Sequence, residues 1–196
     1  MLFATQHKGS IHHSNFIMQY RRVYHPGACY FFTVVTHRRY PWFNHPEAVN
    51  QLRLAIQQEK ARRPFEIDAF VVMPDHLHAV WTLPEDDSDY SIRWRNIKRA
   101  FTASIAESQR PIVSASRQHK SEQAIWQRRF WEHQIRDERD FAQHIDYIHF
   151  NPVKHGFVRK AADWRFSSIH RYINQGILPA DWGISPLALD EGIGQE

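Results

Sequence analysis

The stretch FEIDAFVVMPDHLHAVWTLP, residues 65–84, constrains this chain most, because two β-branched and aromatic runs are broken only by Met73-Pro74-Asp75. Pro-Asp favours a turn, so the runs read as two strands joined there. Strands joined by so short a link pair antiparallel. The fold must therefore contain an antiparallel hairpin whose second strand carries His76, Leu77 and His78.

The flanking segments extend that hairpin into a sheet with helices. Residues 28–40, ACYFFTVVTHRRY, follow Pro26-Gly27 and predict a strand. In EAVNQLRLAIQQEKARR the apolar Val49, Leu52 and Ile56 recur at helical spacing, and Pro64 ends that helix. A second helix is expected in DYSIRWRNIKRAFTASIAES, with Ile92, Ile97, Phe101 and Ile105 facing inward. Residues 107–124 are polar and Ser/Gln-rich and predict a mobile loop. IWQRRFWEHQI then predicts a fourth strand. DERDFAQHIDYIHF, with acidic residues in its first turn, predicts a helix stopping near Asn151-Pro152. The remainder predicts a short helix and turns.

The order β, α, β, β, α, β, α implies an α+β fold of the ferredoxin-like (RRM-like) kind. Its antiparallel sheet would have helices packed on one face and a further C-terminal helix. Residues 18–183 are expected to form the single domain, residues 1–17 a loose extension, and residues 184–196 a disordered tail. With 42% hydrophobic and 14% aromatic residues in 196, one core can be filled.

Charge and composition narrow the function. A net charge of +4 is modest, but the arginines cluster beside aromatic residues, which favours a polyanionic partner. Cys29 is the only cysteine, which excludes a disulfide framework and a multi-cysteine zinc site and suits a reducing compartment, the cytoplasm. No apolar run approaches the roughly 20 residues that span a bilayer, so no membrane is expected. Neither a P-loop nor a GxSxG elbow is present, so nucleotide hydrolysis and serine-esterase chemistry have no foothold.

Two constellations carry chemistry. On a strand, His76 and His78 share one face while Leu77, Ala79 and Trp81 take the other, so the imidazoles are expected off the core face. Two neutral imidazoles can bind one divalent metal. With 14 histidines in 196 residues, about one such pair arises by chance, so the pair alone is not specific. In HIDYIHFNPVKHG, Tyr147 and Asn151 lie four apart on one helical face, and His144 lies three residues before the tyrosine on the same side. The plain alternative is a helix that buries Tyr147 and uses Asn151 as an end cap.

Taken together, PDHLHAVWTLP, IWQRRFWEH, IRDERDFAQHIDYIHFNPVKHG and DWRFSSIHRY resemble the REP-associated tyrosine transposases, relatives of the single-tyrosine insertion-sequence transposases. The resemblance runs from about Tyr20 to Trp182 in the same order. It implies that His76-Leu77-His78 is the family's His-hydrophobic-His element, that Tyr147 is the nucleophile and that Asn151 is the third metal ligand. It also implies magnesium or manganese as the ion and attack by Tyr147 to give a 5′-phosphotyrosine and a 3′-hydroxyl. The implied partner is single-stranded or hairpin DNA of the REP palindromes, handled by a nucleoid-associated monomer or homodimer.

His144 is expected to serve as general base or as an orienting residue. Arg21, Arg22, Arg93, Arg95, Lys98, Arg99, Arg128, Arg129 and Lys154 are expected to contact DNA phosphates. Two rivals stand beside this reading. One is a non-catalytic binder of hairpin DNA or RNA, and the other is a hydrolase in which water attacks.

Overall fold

Two strands buried along almost their whole length organise the centre of the molecule. The computed structural model describes residues 26–113, 115–119 and 123–184. The expected extension over residues 1–17, Arg21, Arg22 and the tail beyond residue 184 lie outside them. Strands β1 (Cys29–Val35), β2 (Glu66–Val72), β3 (His76–Thr82) and β4 (Trp131–Gln134) form one antiparallel sheet in the order β2-β3-β1-β4. The two strands richest in buried residues, β1 and β3, are thus the central ones.

The register decides which side chains share a face. Tyr30, Phe32 and Val34 stand opposite Trp81, Ala79 and Leu77, while Phe31, Thr33 and Val35 stand opposite Val80, His78 and His76. A period of two sends the first set to one side of the sheet and the second to the other. Helix α1 (Pro46–Arg62) covers the first side with Val49, Leu52 and Ile56, and α2 (Tyr90–Ser104) covers it with Tyr90, Trp94, Ile97 and Phe101. Each large apolar side chain removed from water there contributes about 1.5–3 kcal/mol.

A short helix, α3 (Ala115–His119), precedes α4 (Glu138–Lys154), which lies across the second side. There Ile145, Tyr147 and Ile148 pack on Phe31, Ala69, Val71 and Val80. The start of α4 is fixed by a reciprocal cap. Asp137 accepts a hydrogen bond from the Asp140 amide at 2.8 Å, and Asp140 accepts one from the Arg136 amide at 3.0 Å. The last helix, α5 (Ile169–Asn174), follows a segment that closes on β2, where Ser168 donates its amide to Phe70 O at 2.8 Å.

The α+β fold expected from sequence is present, with α1 and α2 together on one face. His76 and His78 lie on the face opposite Leu77, Ala79 and Trp81, as alternation predicts, but α4 roofs that face and leaves them 2% and 0% exposed. Alternation identified the face but not its cover.

Three further differences have local causes. Helix α4 does not stop at Asn151 but runs through Pro152 to Lys154. A proline in the final turn removes only one backbone donor, the one that would serve Ile148 O, and beyond it the end carbonyls of Asn151 and Pro152 accept from His155 N at 3.0 Å and Phe157 N at 2.9 Å. The segment 107–124 is not structureless, since it holds a 3-10 turn at Glu107–Gln109 and α3. The fourth strand shrinks to Trp131–Gln134, with a single bridge between Thr36 and Trp126 further up. Among the described residues, no helix is long and apolar enough to cross a membrane.

Candidate active site

The site is built where β3 meets α4. His76 and His78 project from β3 toward the helix, with ring centroids 4.9 Å apart. His76 Nδ1 lies 2.6 Å from Asp75 Oδ1, and because a carboxylate can only accept, that nitrogen donates. His78 Nδ1 is hydrogen-bonded to Thr33 Oγ1 at 2.9 Å, across the β1–β3 ladder. Both rings are therefore held by Nδ1, which makes Nε2 the nitrogen suited to an ion, as in histidine ligands oriented by an outer partner.

Asp75 is itself held in place. Arg39 Nη1 reaches its Oδ2 at 3.2 Å. Burial pushes the Asp75 carboxyl up, but the hydrogen bonds from His76 and Arg39 outweigh it and leave the group below the usual carboxylate range. Arg38 and Arg39 take left-handed backbone angles, φ 55° and 52°, to make the turn that delivers this guanidinium. Strain of that kind costs of order 1–3 kcal/mol per residue and collects at functional sites.

Helix α4 supplies the opposite wall. The Tyr147 ring is 1% exposed and meets His78 edge to face at 5.2 Å. Eight residues on, the His155 ring lies 5.6 Å from that of His76. Asn151 sits between the two on the same helical face, four residues from each. It is 0% exposed, and neither its Oδ1 nor its Nδ2 has a hydrogen-bond partner.

A buried amide left unsatisfied costs about 1–3 kcal/mol, so this one calls for a partner. Two imidazoles with Nε2 left for an ion and a buried amide oxygen on the facing helix are donors of the kind that suit a divalent ion. The residues that would hold it are His76, His78 and Asn151.

His144 is placed elsewhere. Its Nδ1 donates to Asp140 O at 2.8 Å, its ring stacks on His133 at 4.8 Å, and Phe31 stands against it at 4.7 Å. Phe31 also stands against His78 and Tyr147, at 5.4 and 5.9 Å, so one ring from β1 is shared by His144, His78 and Tyr147.

Burial lowers the His144 imidazole below its ordinary pKa. His133, Asp140 and His144 are close enough to hold a metal ion themselves. Here, however, Asp140 already caps α4 and accepts from Arg136 Nε at 3.1 Å. Burial would raise the Asp140 carboxyl, yet hydrogen bonds from His133 and Arg136 bring it down to about 2.

The basic residues divide. Arg95, Lys98 and Arg99 on α2 and Arg128 beside it line a cavity of about 740 Å³, whose wall includes Trp126 and Phe130. Arg129 is exposed next to it. Arg93 does not belong to this surface. It is 0% exposed, and its guanidinium donates to Asp87 Oδ2, Pro64 O, Asp89 O and Arg63 O. Its expected role in DNA binding is corrected to a structural one, since buried carbonyls between α1 and α2 consume its donors.

Lys154 lies apart from the α2 surface, with its Nζ 3.4 Å from Tyr147 Oη. Sequence reasoning missed Asp75, Arg39 and Thr33 as supports. Thr33 had a signal, being the polar residue inside the apolar run CYFFTVV.

Comparison with known proteins follows the same residues. The family described as Transposase IS200 like matches residues 26–151, a span that contains His76, His78, Tyr147 and Asn151. The REP-associated tyrosine transposase of Escherichia coli strain K12 is 44% identical over 164 residues, covering 84% of this chain and 90% of its own length. A relative from Haemophilus influenzae, named for the same family, is 44% identical over 167 residues, 85% of this chain and 94% of its own. A solved structure, described as a REP-associated tyrosine transposase bound to a REP hairpin, matches with a TM-score of 0.75 at 41% identity. It covers 92% of this chain and 98% of its own.

Proposed function

This chain belongs to the IS200-like transposases and, within them, to the REP-associated tyrosine transposases, and on that premise we propose that it nicks and rejoins REP-type hairpin DNA through Tyr147. The observation that carries this reading is the placing of a phenol, an unsatisfied buried amide and two oriented imidazoles on facing elements. A magnesium or manganese ion there would neutralise charge on the scissile phosphate and make it more electrophilic.

The chain's own residues do the rest. Asp75 and Thr33 hold the imidazole rings, and packing against Phe31 and His78 fixes the Tyr147 ring. A bond forms from Tyr147 Oη to phosphorus as the bond from phosphorus to the 3′ oxygen breaks. The phenol proton ends on that oxygen, leaving a 5′-phosphotyrosine and a 3′-hydroxyl that can reverse the step. The cavity lined by Arg95, Lys98, Arg99 and Arg128 supports phosphate contact, with aromatic surface at hand for unpaired bases.

Tyr147→Phe removes one oxygen and keeps the packing, so folding and hairpin affinity should survive while cutting falls to background. Wild-type protein incubated with end-labelled hairpin and manganese should yield a denaturation-resistant adduct whose peptide contains Tyr147. A variant that still cuts without an adduct would point to attack by water. Wild-type protein that binds hairpin but never cuts would favour the simple binder.

A further inference from the structure

Helix α4 runs one turn past the point where its proline was expected to end it, and that turn brings Lys154 back over Tyr147. Positions seven apart in a helix are two turns apart on one face. Lys154 Nζ lies 3.4 Å from Tyr147 Oη and 4.7 Å from the centre of its ring. One ammonium thus both donates to the phenol oxygen and covers the ring face. We infer that Lys154 is a catalytic residue, a fixed cation that holds the negative charge gathering on Tyr147 Oη as the phosphotyrosine bond forms and breaks.

This rests on Tyr147 being the nucleophile. The chemistry then follows from which atom gains charge. In cutting, Oη loses its proton and attacks, and in rejoining it departs from phosphorus carrying the bonding pair. A cation beside Oη favours the transition state in both directions while keeping its own proton, so it is neither consumed nor required as an acid. Lysine suits this task as a compact point charge on a flexible stem.

Two plainer roles compete. Near the C-terminus of α4, Lys154 could simply complement the helix dipole, or it could grip DNA backbone at a distance from the chemistry. The first predicts a loss of stability, the second a loss of affinity. A cation at the reacting oxygen predicts a loss of rate on DNA already bound.

The test compares wild type, Lys154→Met, Lys154→Arg and Lys154→Ala in single-turnover cutting of hairpin DNA with manganese, at saturating protein, with Kd measured separately. Removing a group aimed at developing charge costs roughly 10²–10³ in rate at the strong end, and an exposed lysine should reach about 10- to 100-fold. Lys154→Met should slow cutting and rejoining by that same factor with Kd within about twofold. Lys154→Arg should recover most of the rate, and added ethylammonium should accelerate Lys154→Ala but not Lys154→Arg.

A saturated rate in Lys154→Met within twofold of wild type, or a loss confined to Kd, overturns the inference. The adduct is mapped in the same series. If it lies on Tyr147 while Lys154→Met cuts normally, only the role of Lys154 falls, and if wild type gives no adduct on Tyr147, the nucleophile reading falls with it.

Discussion

The two faces of the sheet are made by the same four strands and serve opposite ends. Under α1 and α2 the contacts are hydrocarbon and aromatic, with Trp81 and Trp94 stacked at 4.1 Å, and the buried charge of Arg93 has four acceptors. Under α4 the same strands bury two histidines, a tyrosine and an asparagine whose amide has no partner. One face lowers the free energy of the fold, while the other spends part of it holding polar groups where water cannot satisfy them. Their separation by a single sheet lets one face be costly without unfolding the other.

The largest effect should come from the stabilising face. Trp94 is 0% exposed, and Trp94→Ala deletes a full indole from the stack, which typically costs about 3–5 kcal/mol. At about 2–4 °C per kcal/mol for a chain of this size, Tm should fall by roughly 10 °C. Cutting by the folded fraction, measured well below the new Tm, should keep its wild-type rate. A rate that collapsed along with stability would break the division between the faces.

That division was only partly legible in the sequence. The period of two in CYFFTVV and HLHAVWT settled which residues share a face, while the His-Leu-His, Tyr147 and Asn151 group was singled out through the family resemblance, since neither spacing was specific alone. Burial of the imidazoles was not visible, because a polar-looking strand face reads as solvent until a later helix is known to cover it. Arg93 misled for the opposite reason. Its neighbours in WRNIKR are basic, and nothing local announces the carbonyls at residues 63, 64 and 89 that absorb its donors. The turn after Pro152 was hidden by the general rule that proline ends helices, so the approach of Lys154 to the Tyr147 phenol was not visible.

A middle-sized effect should appear on acidification, at the start of α4. Asp140 has its carboxyl pKa lowered from the ordinary 3.8 to about 2 in the fold. A depressed folded value contributes stability above the unfolded pKa and loses it as pH falls through the folded one. The window is thus from about pH 4 down to about pH 2, and the loss is roughly 2 kcal/mol. Urea midpoints taken across that range should show it. Asp140→Asn, which cannot titrate, should be less stable at neutral pH and flatter below pH 4. If the variant follows the wild-type curve in parallel, the acid loss arises elsewhere, and the clamp on α4 does not set this face apart.

The smallest expected effect is the sharpest test of the comparison, because its sign is unusual for a fully buried position. Asn151 places an amide oxygen and an amide nitrogen in the interior without partners. Asn151→Leu keeps the four-atom branched skeleton in a bulkier form and removes both polar atoms, so the desolvation cost is lifted and the α4 face becomes more like its opposite. Relief of such a group is worth about 1 kcal/mol, toward the low end of the 1–3 kcal/mol range because some repacking is needed. The variant should therefore melt about 2–4 °C higher than wild type without metal. Manganese should raise the Tm of wild type but not of the variant, which has lost the oxygen that completes the donor set. Cutting should fall to background in the more stable protein, a gain in stability at the expense of function. If Asn151→Leu is instead destabilised while still cutting hairpin DNA, Asn151 serves the fold as a helix-end residue, and the metal site must be sought without it.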